Sequence, residues 1–285
     1  MDVGIGLPSH LEGVSGRMIV EWARRAERRG FSTISVSDRL VWATPEPLVT
    51  LAAVAGATSR IGLLTSVMLA PLRTNHTLFA KQLATLDQLA GAGRLRLGLA
   101  PGLREDDFEV SGVDYRSRGR QLVALIKRLD EVWSTAEGVG PAPATPGGPP
   151  LLFGGTSDAA LRRIVSRGNG WIAGDATTAD LDGFVPTLGK AWADAGRDAE
   201  PTVIASVMYA LGPQARDAVA TALNAYYAFG GQEYVDYGID IAYTTEQRVA
   251  GAVDEFERAG CDELLFMGND ADPDQVDKLA DAVGL

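Results

Sequence analysis

The chain has 285 residues and a formal net charge of −11, with 26 Lys and Arg against 37 Asp and Glu. That balance argues against nucleic-acid binding and against an anionic membrane surface, both of which need a basic footprint. Two histidines, His10 and His76, leave too few ligands for a multi-His metal site, and no metal is expected. The single Cys261 excludes an internal disulfide and fits a reducing compartment. The start, Met1-Asp2-Val3-Gly4, lacks the basic stretch and apolar run of a signal peptide, and no apolar run approaches the ~20 residues a membrane span needs. A cytoplasmic protein acting on a small molecule is therefore expected, with a homodimer left open.

Apolar strands and amphipathic helices alternate along the whole chain. Residues 3–7 (VGIGL) read as a strand, followed by a helix over 16–29 that Gly30 stops. Residues 32–37 form a second strand ending in Asp38-Arg39, and 47–58 a helix opened by Pro47. A third strand over 61–69 leads to a helix over 77–89, with Leu78, Phe79, Leu83, Leu86 and Leu89 expected to face inward. The fourth strand begins at Leu95, where Leu95, Leu97 and Leu99 alternate with Arg96, Gly98 and Ala100. It breaks at Pro101-Gly102 and runs into Arg104, Glu105, Asp106 and Asp107, a run expected to be mostly solvated. Residues 118–133 carry the clearest helical period in the chain.

Residues 134–150 hold five prolines and four glycines and read as a surface insertion before the fifth strand at 151–153. Helices over 158–167, 179–195 and 213–229 flank strands at 171–173 and 202–209. Residues 230–243, rich in tyrosine, read as irregular and as a candidate lid. Thr244 with Gln247 predicts a capping box, and strand eight covers 263–267. Asp272-Pro273 with Gln275 predicts a second cap before the last helix. Eight strand–helix units in strict alternation predict a single (β/α)8 TIM-type barrel domain over residues 1–285.

In such a barrel the chemistry sits at the C-terminal ends of the strands. That places Asp38 and Arg39 as an acid/base or electrostatic pair, Thr65, Ser66 and Val67 late in strand three, and Met208 or Tyr209 at strand seven. Gly154-Gly155-Thr156-Ser157 has two readings. Its glycines, hydroxyls and the following helix start suit a phosphate; a tight strand–helix turn with a Ser N-cap explains the same residues. Trp42, His76 and Tyr209 are candidates for the substrate pocket.

Several segments together resemble the luciferase-like monooxygenase superfamily, whose members use FMN or the deazaflavin coenzyme F420. They are Ser37-Asp38, Glu46-Pro47-Leu48, 57–61 (ATSRI), Thr65-Ser66-Val67, 80–87 (AKQLATLD), 94–99 (RLRLGL), 104–108 (REDDF), 154–157 (GGTS), 160–163 (ALRR) and 168–171 (GNGW). The resemblance implies a flavin- or deazaflavin-dependent oxidoreductase or monooxygenase passing hydride or electrons to a small organic substrate. It implies a cofactor site built from Thr65, Ser66 and Val67, with a non-prolyl cis peptide at Ser66-Val67 behind the ring, together with Ala100 and Gly102. It also assigns Asp38 to the ring's edge and Gly154, Gly155, Thr156 and Ser157 to the cofactor phosphate. F420 is slightly favoured over FMN. Two departures stand out. Arg39 replaces a frequent His, and Leu103 replaces the Glu of the sugar-phosphate dehydrogenases, so their acid/base pair does not carry over. A cofactor-binding protein with little catalysis, and a cofactor-free barrel lyase or hydrolase, are the alternatives.

Overall fold

The computed structural model describes residues 1–135 and 138–285; Ala136 and Glu137 of the Pro/Gly-rich stretch lie outside the described residues. The strands are β1 (Asp2–Gly6), β2 (Thr33–Val36), β3 (Gly62–Leu69), β4 (Leu95–Ala100), β5 (Leu151–Gly154), β6 (Gly170–Ala173), β7 (Thr202–Tyr209) and β8 (Glu263–Gly268). The helices are α1 (Gly16–Arg29), α2 (Pro47–Ala57), α3 (His76–Ala90), α4 (Glu105–Ser111), α5 (Arg118–Thr135), α6 (Asp158–Arg167), α7 (Thr178–Asp194), α8 (Ala215–Tyr226), α9 (Gln232–Ile241), α10 (Glu246–Arg258) and α11 (Asp274–Val283). Every strand pairs in parallel with its sequence neighbour, and β1 pairs with β8, so the sheet closes as a TIM barrel in the order β1 to β8. No helix among the described residues is long and apolar enough to cross a membrane.

The pleat sends alternate residues to two cores. Leu64, Leu152, Ile172, Ile204, Leu265 and Met267 fill the barrel interior. Leu63, Leu97, Leu99, Phe153, Leu264 and Phe266 point outward against the helices. Inside the barrel, the Arg96 guanidinium donates to Glu263 Oε2 at 2.5 Å and to Thr33 Oγ1 at 2.6 Å, so two otherwise costly polar groups satisfy each other. Gly98 lies beside β3, where a Cβ would stand 2.2 Å from the Thr65 carbonyl oxygen. Only glycine fits that approach.

Four expectations are corrected. Residues 230–243 are not irregular: Val235 and Ile239, four apart, are buried against α8, and residues 232–241 are helical as α9. The opening glycine, Gly231, makes no side-chain cap, which hides this helix from a reading based on start signals. In α3, Leu78 and Leu89 are exposed, and the buried face is Phe79, Ala80, Leu83, Leu86 and Asp87. The α10 cap is Thr245, whose hydroxyl accepts from the Arg248 amide at 3.3 Å, one residue beyond the predicted Thr244. Gln275 does not return to its cap. Its side chain is fully buried and bonds both backbone groups of Leu211, which ties α11 to the end of β7.

The described part of the Pro/Gly-rich stretch is tied to α3 through Thr145. Asp87 of α3, itself fully buried, accepts from the Thr145 amide at 2.7 Å and the Thr145 hydroxyl at 2.9 Å.

Candidate active site

The C-terminal ends of the strands surround a cavity of about 740 Å³. Asp38 and Arg39 follow β2, Ser66 and Val67 come from β3, and Ala100 to Gly102 continue β4. Gly154, Gly155 and Ser157 follow β5, and Met208 comes from β7. The link between β7 and β8 brings Tyr226, Tyr227, Phe229 and Tyr234 over the mouth. The Ser66-Val67 peptide is cis, and the β3–β4 register shifts between Thr65 and Met68. That bulge presents both Ser66 and Val67 to the cavity, where a regular strand would present one of them.

Asp38 and Arg39 are neighbours in sequence but not a pair in space. The Asp38 carboxylate accepts from the Leu69 amide at 2.9 Å and from Arg73 at 3.0 Å. Burial pushes its pKa up, against the pull of Arg73 and the Leu69 amide. Arg39 turns the other way. Its Nε donates to Asp107 Oδ2 at 2.9 Å, and its guanidinium lies 5.5 Å from the Tyr226 ring centre. Asp107 is 1% exposed and also accepts from the Leu40 and Val41 amides at 3.0 and 2.7 Å. The expectation of a solvated acidic run at 105–107 therefore fails at Asp107, the third residue of α4, because the helix turns it onto the loop that carries Arg39. The signal for it lay in Arg39, a buried cation that needs an acid.

Part of the cavity wall is basic. Arg116, Arg118 and Arg163 line it together with the Gly154–Ser157 turn. Arg163 is 9% exposed, and its Nε has no hydrogen-bond partner among the described residues. Ser157 caps α6 by accepting from the Ala160 amide at 3.3 Å, so the turn-and-cap reading of this segment is structurally real. It does not exclude the phosphate reading, since Gly155 at φ +93° leaves the backbone bare beside the helix start. A buried guanidinium whose Nε has no partner among the described residues, beside a glycine turn and a helix N-terminus, fits a phosphate group.

Four polar groups that the residue-by-residue reading did not single out complete the cavity. His10 is buried, its Nε2 lies 3.3 Å from Asn269 Oδ1, and burial holds its pKa down to about 4. Asp175, after β6, accepts from the Tyr227 hydroxyl at 2.8 Å, and burial pushes both groups' pKa values up. Tyr226 packs edge-on against His10 and Trp42, and its pKa is pushed up to about 12, mainly by burial.

Five expected site residues do not line the cavity. Thr65 is fully buried in the sheet and donates its hydroxyl to the Gly98 carbonyl at 2.8 Å. Thr156 is exposed, with the turn directing Gly155 and Ser157 to the cavity instead. Trp42 stands behind Tyr226 and donates Nε1 to the His10 carbonyl at 2.9 Å. His76 opens α3 in an outer groove with Asn75 and Lys127. Tyr209 is fully buried between barrel and helices, its hydroxyl 3.3 Å from the Gln275 carbonyl, because the pleat turns Met208 inward and Tyr209 outward. Among the described residues no group of three or more His, Cys, Asp or Glu could hold a metal ion.

A closed parallel barrel with a bulge in β3 and a cavity at its strand ends defines a TIM barrel of the α/β class. Residues 1–282 match the family described as luciferase-like monooxygenase, and the chain belongs to that family. It is 29% identical over 195 residues to an uncharacterized protein of Mycobacterium tuberculosis, covering 64% of this chain and 68% of that one. It is 31% identical over 207 residues to the F420-dependent glucose-6-phosphate dehydrogenase of Kribbella flavida, covering 67% of this chain and 59% of that one. The solved monooxygenase RslO1 of Streptomyces bottropensis superposes with a TM-score of 0.83 at 18% identity over 100% of this chain and 97% of that one. An F420-dependent secondary alcohol dehydrogenase superposes at 0.81 with 18% identity over 99% and 98%.

Proposed function

We propose that this protein is an oxidoreductase that binds F420, or FMN in its place, and exchanges a hydride or electrons with a small organic substrate in the strand-end cavity. The observation that carries the reading is the joining of two features in one cavity. Ser66 and Val67 of the β3 bulge, with Ala100, line one part of the cavity and would back a tricyclic ring, and Arg163 with the Gly154–Ser157 turn would receive its phosphate in the same cavity. Family membership and a relative named as F420-dependent support it. Arg116 and Arg118 extend the basic wall, which favours the deazaflavin with its longer acidic tail.

The bound cofactor would supply the two-electron chemistry. Arg163, Ser157 and the bare turn would hold its phosphate, and Asp38, oriented by Arg73 and the Leu69 amide, would face the polar edge of its ring. Arg39, fixed by Asp107, places a permanent positive charge at the cavity wall and stabilises negative charge that develops nearby. The wall has Arg39 and Leu103 where the sugar-phosphate dehydrogenases carry His and Glu, so glucose 6-phosphate is not assigned as the substrate.

The test is a titration of the purified protein with F420 and with FMN, followed by cofactor fluorescence. Saturable quenching is expected, tighter for F420; no binding of either at tens of micromolar overturns the proposal. Ser157→Asp sets a carboxylate beside the phosphate and should weaken binding at least tenfold, whereas an unchanged constant removes the cradle. Turnover with the reduced cofactor, absent in a protein that binds normally, would leave a cofactor carrier.

A further inference from the structure

When a double bond takes up a hydride, one proton must follow, and a positioned side chain can carry it. Three carboxyl groups line the cavity, those of Asp38, Asp107 and Asp175. Asp107 is paired with Arg39 and Asp38 with Arg73, so each faces a cation. Asp175 has no cation within ion-pair distance among the described residues. Its one side-chain partner is the Tyr227 hydroxyl, which donates to Oδ2 at 2.8 Å, and Oδ1 makes no hydrogen bond among the described residues. His10 is no substitute. The Asn269 amide nitrogen donates to the Tyr209 and Met267 carbonyls, which turns the amide oxygen to His10 and engages the one N–H of the neutral ring.

The backbone fixes where this carboxyl stands. Asp175 is the one non-glycine residue among the described residues with a positive φ, +49°. Ser206 of β7 holds the turn on both sides: its hydroxyl accepts from the Asp175 amide at 3.3 Å and its carbonyl from the Ala176 amide at 3.0 Å. A residue kept in a sparsely populated region by its surroundings points to a use for the position. The groups facing the carboxyl are Ser206, Tyr226 and Tyr227 at the end of α8, Tyr234 and Tyr237 of α9, and Tyr243, and none carries a positive charge. Burial among them pushes the Asp175 pKa up.

We propose that Asp175 is the proton-carrying catalytic residue of the cavity, giving its proton from Oδ1 while Tyr227 holds Oδ2. This deepens the oxidoreductase reading and rests on it. In the reducing direction the Asp175 O–H bond breaks and its electron pair stays on Oδ1. The proton forms the new bond at one end of the substrate's double bond, and the other end takes the hydride supplied by reduced F420 or FMN. The substrate is reduced, the cofactor is oxidised, and water returns a proton to Asp175. The Tyr227 hydrogen bond strengthens as Oδ2 gains negative charge.

The first measurement is infrared difference spectroscopy of the purified protein against Asp175→Asn. A protonated carboxyl band is expected to persist well above the ~3.9 at which a free Asp ionises, and to be missing from the variant. The second compares two probes with reduced F420 or FMN. Hydride addition to cyclohexenone leaves an enolate that needs a proton, whereas addition to β-nitrostyrene leaves a stable nitronate that does not. Asp175→Asn should lower the ratio of cyclohexenone to nitrostyrene turnover by about a hundredfold or more. A merely structural defect would slow both alike. Turnover of cyclohexenone should fall as the pH rises through the Asp175 pKa. Tyr227→Phe removes a donor that favours the carboxylate, so it should move that fall to higher pH. Absence of the band in the wild type, an unchanged probe ratio in Asp175→Asn, or an unmoved pH profile in Tyr227→Phe overturns the assignment. A wild type that shows the band but binds neither cofactor removes the oxidoreductase reading instead.

Discussion

Asp107 shows how much one side chain can hold. Its carboxylate accepts from the Arg39 guanidinium and from two backbone amides while almost fully buried. Removing one member of a buried pair leaves an uncompensated charge, a cost of about 3–5 kcal/mol. Asp107→Ala is expected to lose that much in urea unfolding, and Arg39→Met in the same chain should recover part of it. His10 makes a pH-dependent prediction. In the fold it is neutral, with its pKa at about 4 against 6.5 when free. A depressed pKa means that the unfolded chain takes up the proton first. The stability from neutral His10 is present above pH 6.5 and is lost as the pH falls toward 4, to a total of about 3 kcal/mol. His10→Gln, which keeps a donor for Asn269, should flatten that part of the acid limb. An unchanged slope would mean that His10 is not held neutral.

At the scale of elements, periodicity exposes what a strand or helix is, and neighbours decide where it points. The leucines of β4 alternate plainly, but the pattern alone does not say which face meets the barrel interior. The structure turns Leu95, Leu97 and Leu99 outward to the helices and Gly98 inward, against Thr65. The same one-residue choice sends Met208 into the cavity and Tyr209 into the outer core. The start of α10 was legible to within a residue, since a threonine at an N-cap has a local physical cause. Thr245→Ala removes that cap and should cost about 1 kcal/mol in thermal or urea unfolding. The helix α9 was not legible, because it begins without a cap and its buried face exists only against α8.

For the molecule as a whole, closure is the decisive fact. β8 pairs with β1 over five residue pairs and with β7 over six, and α11 binds α1 through Arg25–Asp274 at 2.7 Å and Arg29–Asp277 at 3.2 Å. A chain ending at Ala259 would keep seven strands with two open, apolar edges. It should lose its near-ultraviolet dichroism and aggregate, whereas a chain shortened only by Gly284 and Leu285 should remain folded.

The barrel itself was determined by the sequence, because eight repetitions of a local pattern with short connections allow few topologies. So were the strand ends from which the site is built, and the segments that resemble the family. Tertiary structure alone decided the partners: Asp38 with Arg73, Arg39 with Asp107, Asp175 with Tyr227, and an Arg163 whose Nε has no partner among the described residues, beside the glycine turn. The physical reason is that a hydrogen bond or ion pair depends on distances between residues far apart in the chain. Secondary-structure periodicity fixes the direction of each side chain only relative to its own element.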